Sequence, residues 1–170
     1  MRRLLPLLPL LLLAACASGP DPAAPASVPA VPPAQRLAAI EAAAGQDDRE
    51  LDVQPLRDPQ VEDLRQAAAQ ARGAHDYGAA ADALNQALLI VADDPAVLQE
   101  RAEIALLQAD YERAETLARR ALSLGSRTGP LCRRHWALIE QSRLARGEDL
   151  NAASARAQIP GCTVPGIERY

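Results

Sequence analysis

The stretch AHDYGAA (residues 74–80) returns as ADYERA (residues 109–114), so that an Asp-Tyr pair recurs after 34 residues. Each unit contains two stretches with apolar residues at helical spacing, joined at the Asp-Tyr turn. A fixed period of this length is typical of stacked helical units, so the pattern predicts an all-α fold. The same spacing relates Leu64 to Leu98, Ala68 to Ala102, Ala80 to Ala114, Ala87 to Ala121 and Leu88 to Leu122.

Residues 61–124 resemble the tetratricopeptide repeat in their period and in their order of small and large residues. Small residues at positions 68, 80 and 87 permit a close approach of two helices, and the tyrosine of the turn fills the corner. The resemblance implies a short α-solenoid of two to three helical hairpins. Ala92 departs from the family's pattern, which usually has proline at the end of a repeat. A generic array of helical hairpins remains the alternative.

A third, less regular unit follows. Residues 131–146 are predicted to form a helix, Gly147 to Asp149 a turn, and residues 150–159 a second helix that ends at Pro160. Aligning Asp149 with Asp110 requires 39 residues instead of 34, which implies an insertion of about five residues. We interpret this unit as the terminal repeat that closes the solenoid.

Two cysteines flank this third turn. Cys132 and Cys162 each lie 15 residues from Gly147, and residues equidistant from the turn of an antiparallel hairpin come side by side. In an oxidising compartment we expect them to form a disulfide. The alternative is a metal site of Cys132, His135 and Cys162, for which a fourth ligand is missing.

The beginning of the chain has the pattern of a secretory signal. Two arginines precede an apolar run over residues 4–15, which is shorter than the roughly 20 residues needed to span a membrane. The residues LAAC at 13–16 resemble the lipobox of bacterial lipoproteins, which implies lipidation of Cys16, including palmitate. Ala17 in place of aspartate implies the outer membrane. Ordinary cleavage with an incidental Cys16 is the alternative.

A Pro/Ala-rich composition follows the lipobox and predicts a disordered tether. Beyond it, residues 35–44 are predicted to form a short helix with Leu37, Ile40 and Ala44 on one face. The predicted organisation is a signal peptide (1–15), a lipid-anchored linker (16–35), a short helix and acidic loop (36–60), the repeat domain (61–162) and a C-terminal tail (163–170).

The charge is unevenly distributed. Residues 41–63 contain eight acidic side chains against two arginines, and residues 119–146 contain seven arginines against Glu140. The arginines could face anionic lipid, an acidic partner or the chain's own acidic segment, or they could form a solvated helical face. An exported chain with so few aromatic residues is not expected to bind nucleic acid.

No enzymatic motif is present. The sequence contains no Gly-rich phosphate loop, metalloprotease helix or nucleophile elbow, so neither catalysis nor a cofactor is expected. The family resemblance implies an adaptor or scaffold anchored in the outer membrane and facing the periplasm, which binds another envelope protein or a peptide segment. A permanent structural subunit of an envelope assembly is the alternative. The resemblance places the partner-binding groove at Glu62, Arg65, Arg72, Gln99, Glu103, His135 and Arg146.

Overall fold

The computed structural model describes residues 30–45 and 56–163. The predicted signal peptide, Cys16, most of the linker, most of the acidic loop and all of the C-terminal tail except Thr163 lie outside these residues. The described residues are helical and contain no strand, which confirms the predicted all-α class. The elements are α1 (Pro33–Ala44), α2 (Pro59–Gly73), α3 (Tyr77–Ile90), α4 (Pro95–Leu107), α5 (Tyr111–Leu124), α6 (Pro130–Ala145), α7 (Asp149–Arg156) and a short 3-10 helix (Ile159–Cys162).

Helices α2 to α7 form three hairpins in chain order. Within them, α2 packs against α3, α4 against α5, and α6 against α7. The second helix of each hairpin also packs against the first helix of the next one, so the hairpins stack as a short solenoid. The predicted α-solenoid of two to three hairpins is therefore confirmed.

The repeated Asp-Tyr pair marks the start of the second helix in the first two hairpins. Asp76 and Asp110 each accept a hydrogen bond from the backbone N–H three residues later, at 2.9 and 3.2 Å. This side-chain cap satisfies an otherwise unpaired N–H of the first helical turn. The preceding residues, His75 and Ala109, both have φ of 60°, so the two turns have the same backbone geometry.

The alanines of the repeat lie where helices pack most closely. Ala80 and Ala114 are fully buried and belong to two separate hydrophobic clusters, the first centred on α2 and α3 and the second shared by α1 and α4 to α7. A side chain larger than alanine would have no space at either position, because protein interiors are close-packed. The 34-residue spacing of these two alanines thus corresponds to the same packing site in successive hairpins.

The third hairpin differs from its prediction in two details. Glu148, not Asp149, precedes α7, so the counterpart of Asp110 lies 38 residues later instead of 39. The second helix also ends at Arg156 and not at residue 159, and a 3-10 helix follows it. The reason is Pro160, whose ring would clash with the carbonyl of Arg156 in a continued α-helix.

Helix α1 lies against α6 and α4, the first helices of the third and second hairpins. Ile40 is fully buried and Leu37 is 9% exposed, and both join the hydrophobic cluster that contains Leu138. The apolar face predicted for the segment therefore packs on the repeats. Within the part of the chain that the structure describes, no helix is both long and apolar enough to cross a lipid bilayer.

Candidate partner-binding groove

A cavity of about 530 Å³ opens on the face formed by the first helices of the hairpins. Its floor is apolar and includes the buried side chains of Leu84 and Ile104. Charged side chains of α2, α4 and α6 form its walls. The lining residues are Glu62, Arg65, Gln66, Ala68, Ala69, Arg72, Leu84, Glu100, Glu103, Ile104 and Arg134.

An ion-pair network joins α2 to α4 across one wall of the cavity. Arg65 donates to Glu62 at 2.7 Å and to Glu100 through two nitrogens, one of them Nε at 3.1 Å. The hydrogen bond with Glu100 raises the pKa of Arg65 above its ordinary value. Paired hydrogen bonds between a guanidinium and a carboxylate are directional, so they hold the two helices at a defined separation.

Glu103, on the same helix as Glu100, also lines the cavity and is almost completely buried. Its carboxylate accepts hydrogen bonds from Arg134 and from the amide of Gln99, and Arg72 lies 3.6 Å away. Burial raises the pKa of Glu103 above its ordinary value, against the attraction of Arg134. Removing one partner of such a buried cluster is expected to be costly, because the remaining charge stays without compensation.

The hydrogen-bond network continues into the protein through two residues that were predicted to line the groove, Gln99 and His135. Gln99 and His135 are both 0% exposed, and Nδ1 of His135 lies 2.6 Å from Oε1 of Gln99. Burial, together with the positive charge of Arg134, lowers the pKa of His135 to about 4. Neither residue can contact a partner, so their assignment to the groove surface was wrong. They connect α4 to α6 inside the core.

Arg146 is also misplaced in the prediction. It lies at the end of α6, where it donates to the carbonyl of Tyr111 at 2.9 Å, to Glu148 at 2.7 Å and to Glu115. These contacts join α6 to α5 and not to the first helix of another hairpin. The insertion before α6 changes the repeat register, so a position transferred from a regular repeat does not reach the groove.

Four predicted groove residues do line the cavity together: Glu62, Arg65, Arg72 and Glu103. The prediction missed five others that carry polar or small side chains, namely Gln66, Ala68, Ala69, Glu100 and Arg134. Helical spacing could have identified Gln66 and Ala69, which lie four residues after Glu62 and Arg65 on the same face of α2. No comparable signal existed for Arg134, because its helix follows the insertion.

Several arginines of the arginine-rich segment pair with carboxylates of the same chain. Glu115 accepts from Arg119 at 2.8 Å, from Arg143 at 3.0 Å and from Arg146. Burial opposes ionisation of Glu115, but the hydrogen bonds from these arginines outweigh it and hold the pKa below its ordinary value. Arg120 pairs separately with Asp93 at 2.9 Å. These ion pairs join α5 to α6 and to the turn before α4, while the side chains of Arg119 and Arg120 remain 55% and 54% exposed.

Cys132 and Cys162 form a disulfide, with their Cα atoms 5.7 Å apart. The bond joins the first turn of α6 to the end of the 3-10 helix. The N–H of Gly129 also donates to the carbonyl of Cys162 at 2.7 Å, so backbone and side chain connect the same two segments. Because both sulfurs are bonded to each other and His135 binds Gln99, the alternative metal site is not formed.

The stacked hairpins and the open groove on their first helices define an all-α helical-repeat protein. The fold and sequence are similar to those of the globular C-terminal domain of P. aeruginosa LpoP, with a TM-score of 0.58 and 34% identity. The match covers 62% of this chain and 99% of that domain, and the chain belongs to the family of the LpoP C-terminal domain. No family model and no curated protein matches the sequence, so the tetratricopeptide resemblance rests on the repeat pattern and the hairpin architecture.

Proposed function

We propose that this protein is an outer-membrane-anchored, non-enzymatic adaptor that binds a segment of another envelope protein in the α2–α4 cavity. The observation that carries this proposal is the cavity itself, which is open and combines an apolar floor with charged walls. The lipobox-like residues LAAC at 13–16 support the envelope location.

The chemistry of the cavity suits a short peptide segment. Its volume lies within the range of about 300 to 1,000 Å³ that is typical of ligand sites. An apolar side chain of the partner would pack on Leu84 and Ile104, while its backbone and polar groups would meet Arg65, Glu62 or Arg72. Since three arginines and three glutamates line the cavity, the walls provide orientation and not a strong net attraction.

The anchor is proposed at Cys16. A Cys16→Ser chain is expected to lose its lipid and to move from the outer-membrane fraction to the soluble periplasmic fraction, because it lacks the acyl chains whose burial in the bilayer would anchor it. Cell fractionation with immunoblotting measures this change. Ala23→Ser, in the same proline-rich stretch, serves as the control and should stay with the membrane. A Cys16→Ser chain that remains wholly with outer membranes would contradict the proposed anchor.

Partner binding is tested by placing a photo-crosslinking side chain at Gln66 in living cells. Gln66 lines the cavity, whereas the exposed Ala67 lies on another face of the same helix, outside the cavity. We expect a crosslinked partner from position 66 and at least about tenfold less from position 67, since crosslinking requires contact and successive residues of a helix point about 100° apart. Mass spectrometry then identifies the partner.

A matched pair of substitutions connects this crosslink to the cavity. Ala69→Trp fills the cavity and is expected to reduce the crosslink at position 66 by at least about tenfold. Ala67→Trp adds the same side chain on an exposed part of α2 outside the cavity and should leave the yield unchanged. Equal yields for the two variants would remove the cavity from the proposal. A partner that co-purifies stoichiometrically in high salt would favour the permanent-subunit alternative.

A further inference from the structure

The groove is already half occupied by a helix of the same chain. The first helices α4 and α6 carry α1, whereas the neighbouring part of the same face, between α2 and α4, is the open cavity. Helix α1 inserts Leu37 and Ile40 into the hydrophobic cluster below it and leaves Ala38 and Ala39 exposed. It is therefore a short amphipathic helix bound in the position of a ligand.

Polar contacts hold α1 at both ends and set its direction. Near its beginning, Nη1 of Arg36 donates to the backbone and side-chain oxygens of Gln141, each at 3.3 Å. At its end, Nε of Arg133 donates to the carbonyl of Ala44 at 2.9 Å. Because Arg36 meets the later part of α6 and Ala44 the earlier part, α1 runs antiparallel to α6.

The α1 site and the open cavity share a wall. Arg72 lines the cavity and also lies 3.5 Å from Glu41 of α1, and the same guanidinium lies 3.6 Å from Glu103. The Arg72–Glu41 pair is half exposed, so its contribution to the docking of α1 is small. A segment bound in the cavity would therefore compete for Arg72 at the edge of α1.

The chain has the length needed for α1 to leave this position. Fourteen residues, 45–58, separate α1 from α2, and they can span at most about 50 Å when extended. A 12-residue helix is also marginally stable in water on its own. The helical form of α1 thus depends on docking, and undocking requires no change in the three hairpins.

We propose that α1 is a displaceable occupant of the α4–α6 half of the groove, and that the ligand replacing it is an amphipathic helix of another envelope protein. The replacing helix carries two large apolar residues three positions apart and an acidic residue directly after the second, as Leu37, Ile40 and Glu41 do. This inference rests on the proposed function only for the nature of the partner. The displacement itself is a property of this chain.

The displacement is tested with a fluorescent peptide of residues 33–45 and the mature chain carrying Cys16→Ser. Ile40→Glu in the chain buries a charge in the α1 interface and should release α1, whereas Ala39→Glu adds the same charge on its exposed face. Fluorescence anisotropy is expected to show at least about tenfold tighter peptide binding to the Ile40→Glu chain. The docked α1 of the Ala39→Glu chain is tethered at an effective concentration of about millimolar and excludes the peptide.

Two further measurements, the melting temperature with added peptide and the oligomeric state, distinguish release of α1 from unfolding and from exchange between copies. If Ile40→Glu destabilises the chain, added peptide should restore its melting temperature, whereas a peptide with Ile40→Glu should not. Equal peptide binding by the two chains, or none by either, would overturn the displacement. A dimer of the Ala39→Glu chain that becomes monomeric with Ile40→Glu would show exchange of α1 between two copies and would overturn the proposed partner helix.

The in-cell crosslink separates this inference from the proposed function. Ile40→Glu should increase the yield of the partner crosslink at position 66 relative to Ala39→Glu, because it opens the adjoining half of the groove. If the peptide binds but no partner crosslinks at position 66, the displaceable helix stands and the adaptor function fails. If the partner crosslinks equally with both variants and the peptide does not bind, the adaptor function stands and the displaceable helix fails.

Discussion

Loss of the Cys132–Cys162 disulfide is expected to lower the free energy of unfolding by about 3.5 kcal/mol. The two cysteines are 30 residues apart, and cross-linking a loop of this size restricts the unfolded chain by roughly that amount in the chain-entropy model. A domain of this size should then melt about 10 to 20 °C lower. The double variant Cys132→Ser and Cys162→Ser, compared with the Cys16→Ser chain in thermal unfolding, measures the difference.

The loss should be local before it is global. In stacked repeats each unit contacts its neighbours, so removing the clamp affects α7 and the beginning of α6 first. Hydrogen exchange should therefore accelerate there while α2 and α3 retain their protection. Unchanged melting of the double variant, or uniform loss of protection across all three hairpins, would contradict a clamp on the terminal hairpin.

Acidification is expected to destabilise the protein through His135 by about 2 kcal/mol between pH 7 and pH 4.5. In the folded protein, burial lowers the pKa of His135 to about 4, whereas an unfolded chain binds the proton near 6.5. The folded state therefore excludes a proton that the unfolded state takes up. The stability contribution is complete above pH 6.5 and is lost as the pH falls toward 4.

The structural cause is the hydrogen bonding of the imidazole. Nδ1 faces the Oε1 of Gln99 and so acts as the donor, which leaves Nε2 as the unprotonated nitrogen. Nε2 is buried and has no hydrogen-bond partner in the part of the chain that the structure describes. A proton at this atom would bury a positive charge near Arg134 without compensation.

Urea unfolding at several pH values checks this prediction, with His135→Gln as the matched variant. Glutamine can keep the hydrogen bond to Gln99 but does not titrate, so the difference in stability between the two proteins should change with pH over this window. The lowered pKa of Glu115 means that its protonation also destabilises the folded protein as the pH falls. The raised pKa of Glu103 means that its protonation stabilises the folded protein as the pH falls. Both are common to the two proteins and cancel in the comparison. A pH-independent difference would contradict the buried neutral histidine.

The repeat explains why much of the fold could be predicted. Local signals determine where the hairpin helices begin, because Asp76 and Asp110 cap them by hydrogen bonds within three residues. The buried alanines follow from the same spacing, since equivalent positions in stacked hairpins meet equivalent neighbours. The pairing of Cys132 and Cys162 is similarly determined by their equal distance from the turn.

The groove could be predicted only in its regular part. Glu62 and Arg65 lie on α2, where the register is uninterrupted, and both line the cavity. Arg146 follows the insertion before α6, and its actual contacts depend on how α6 packs on α5. Sequence spacing defines a helix face but contains no information on the rotation of one helix against another after a loop of different length.

The sequence by itself determined the helical hairpins, their repeat, their caps and the apolar face of α1. Only the tertiary structure decided that α1 packs on α4 and α6, that Gln99 and His135 lie in the core, and that the open cavity remains between α2 and α4. The physical reason is the range of the interactions. Caps and helix periodicity act within a few residues. Burial depends on contacts between distant parts of the chain, such as that of Arg36 with Gln141, 105 positions apart, which no local pattern specifies.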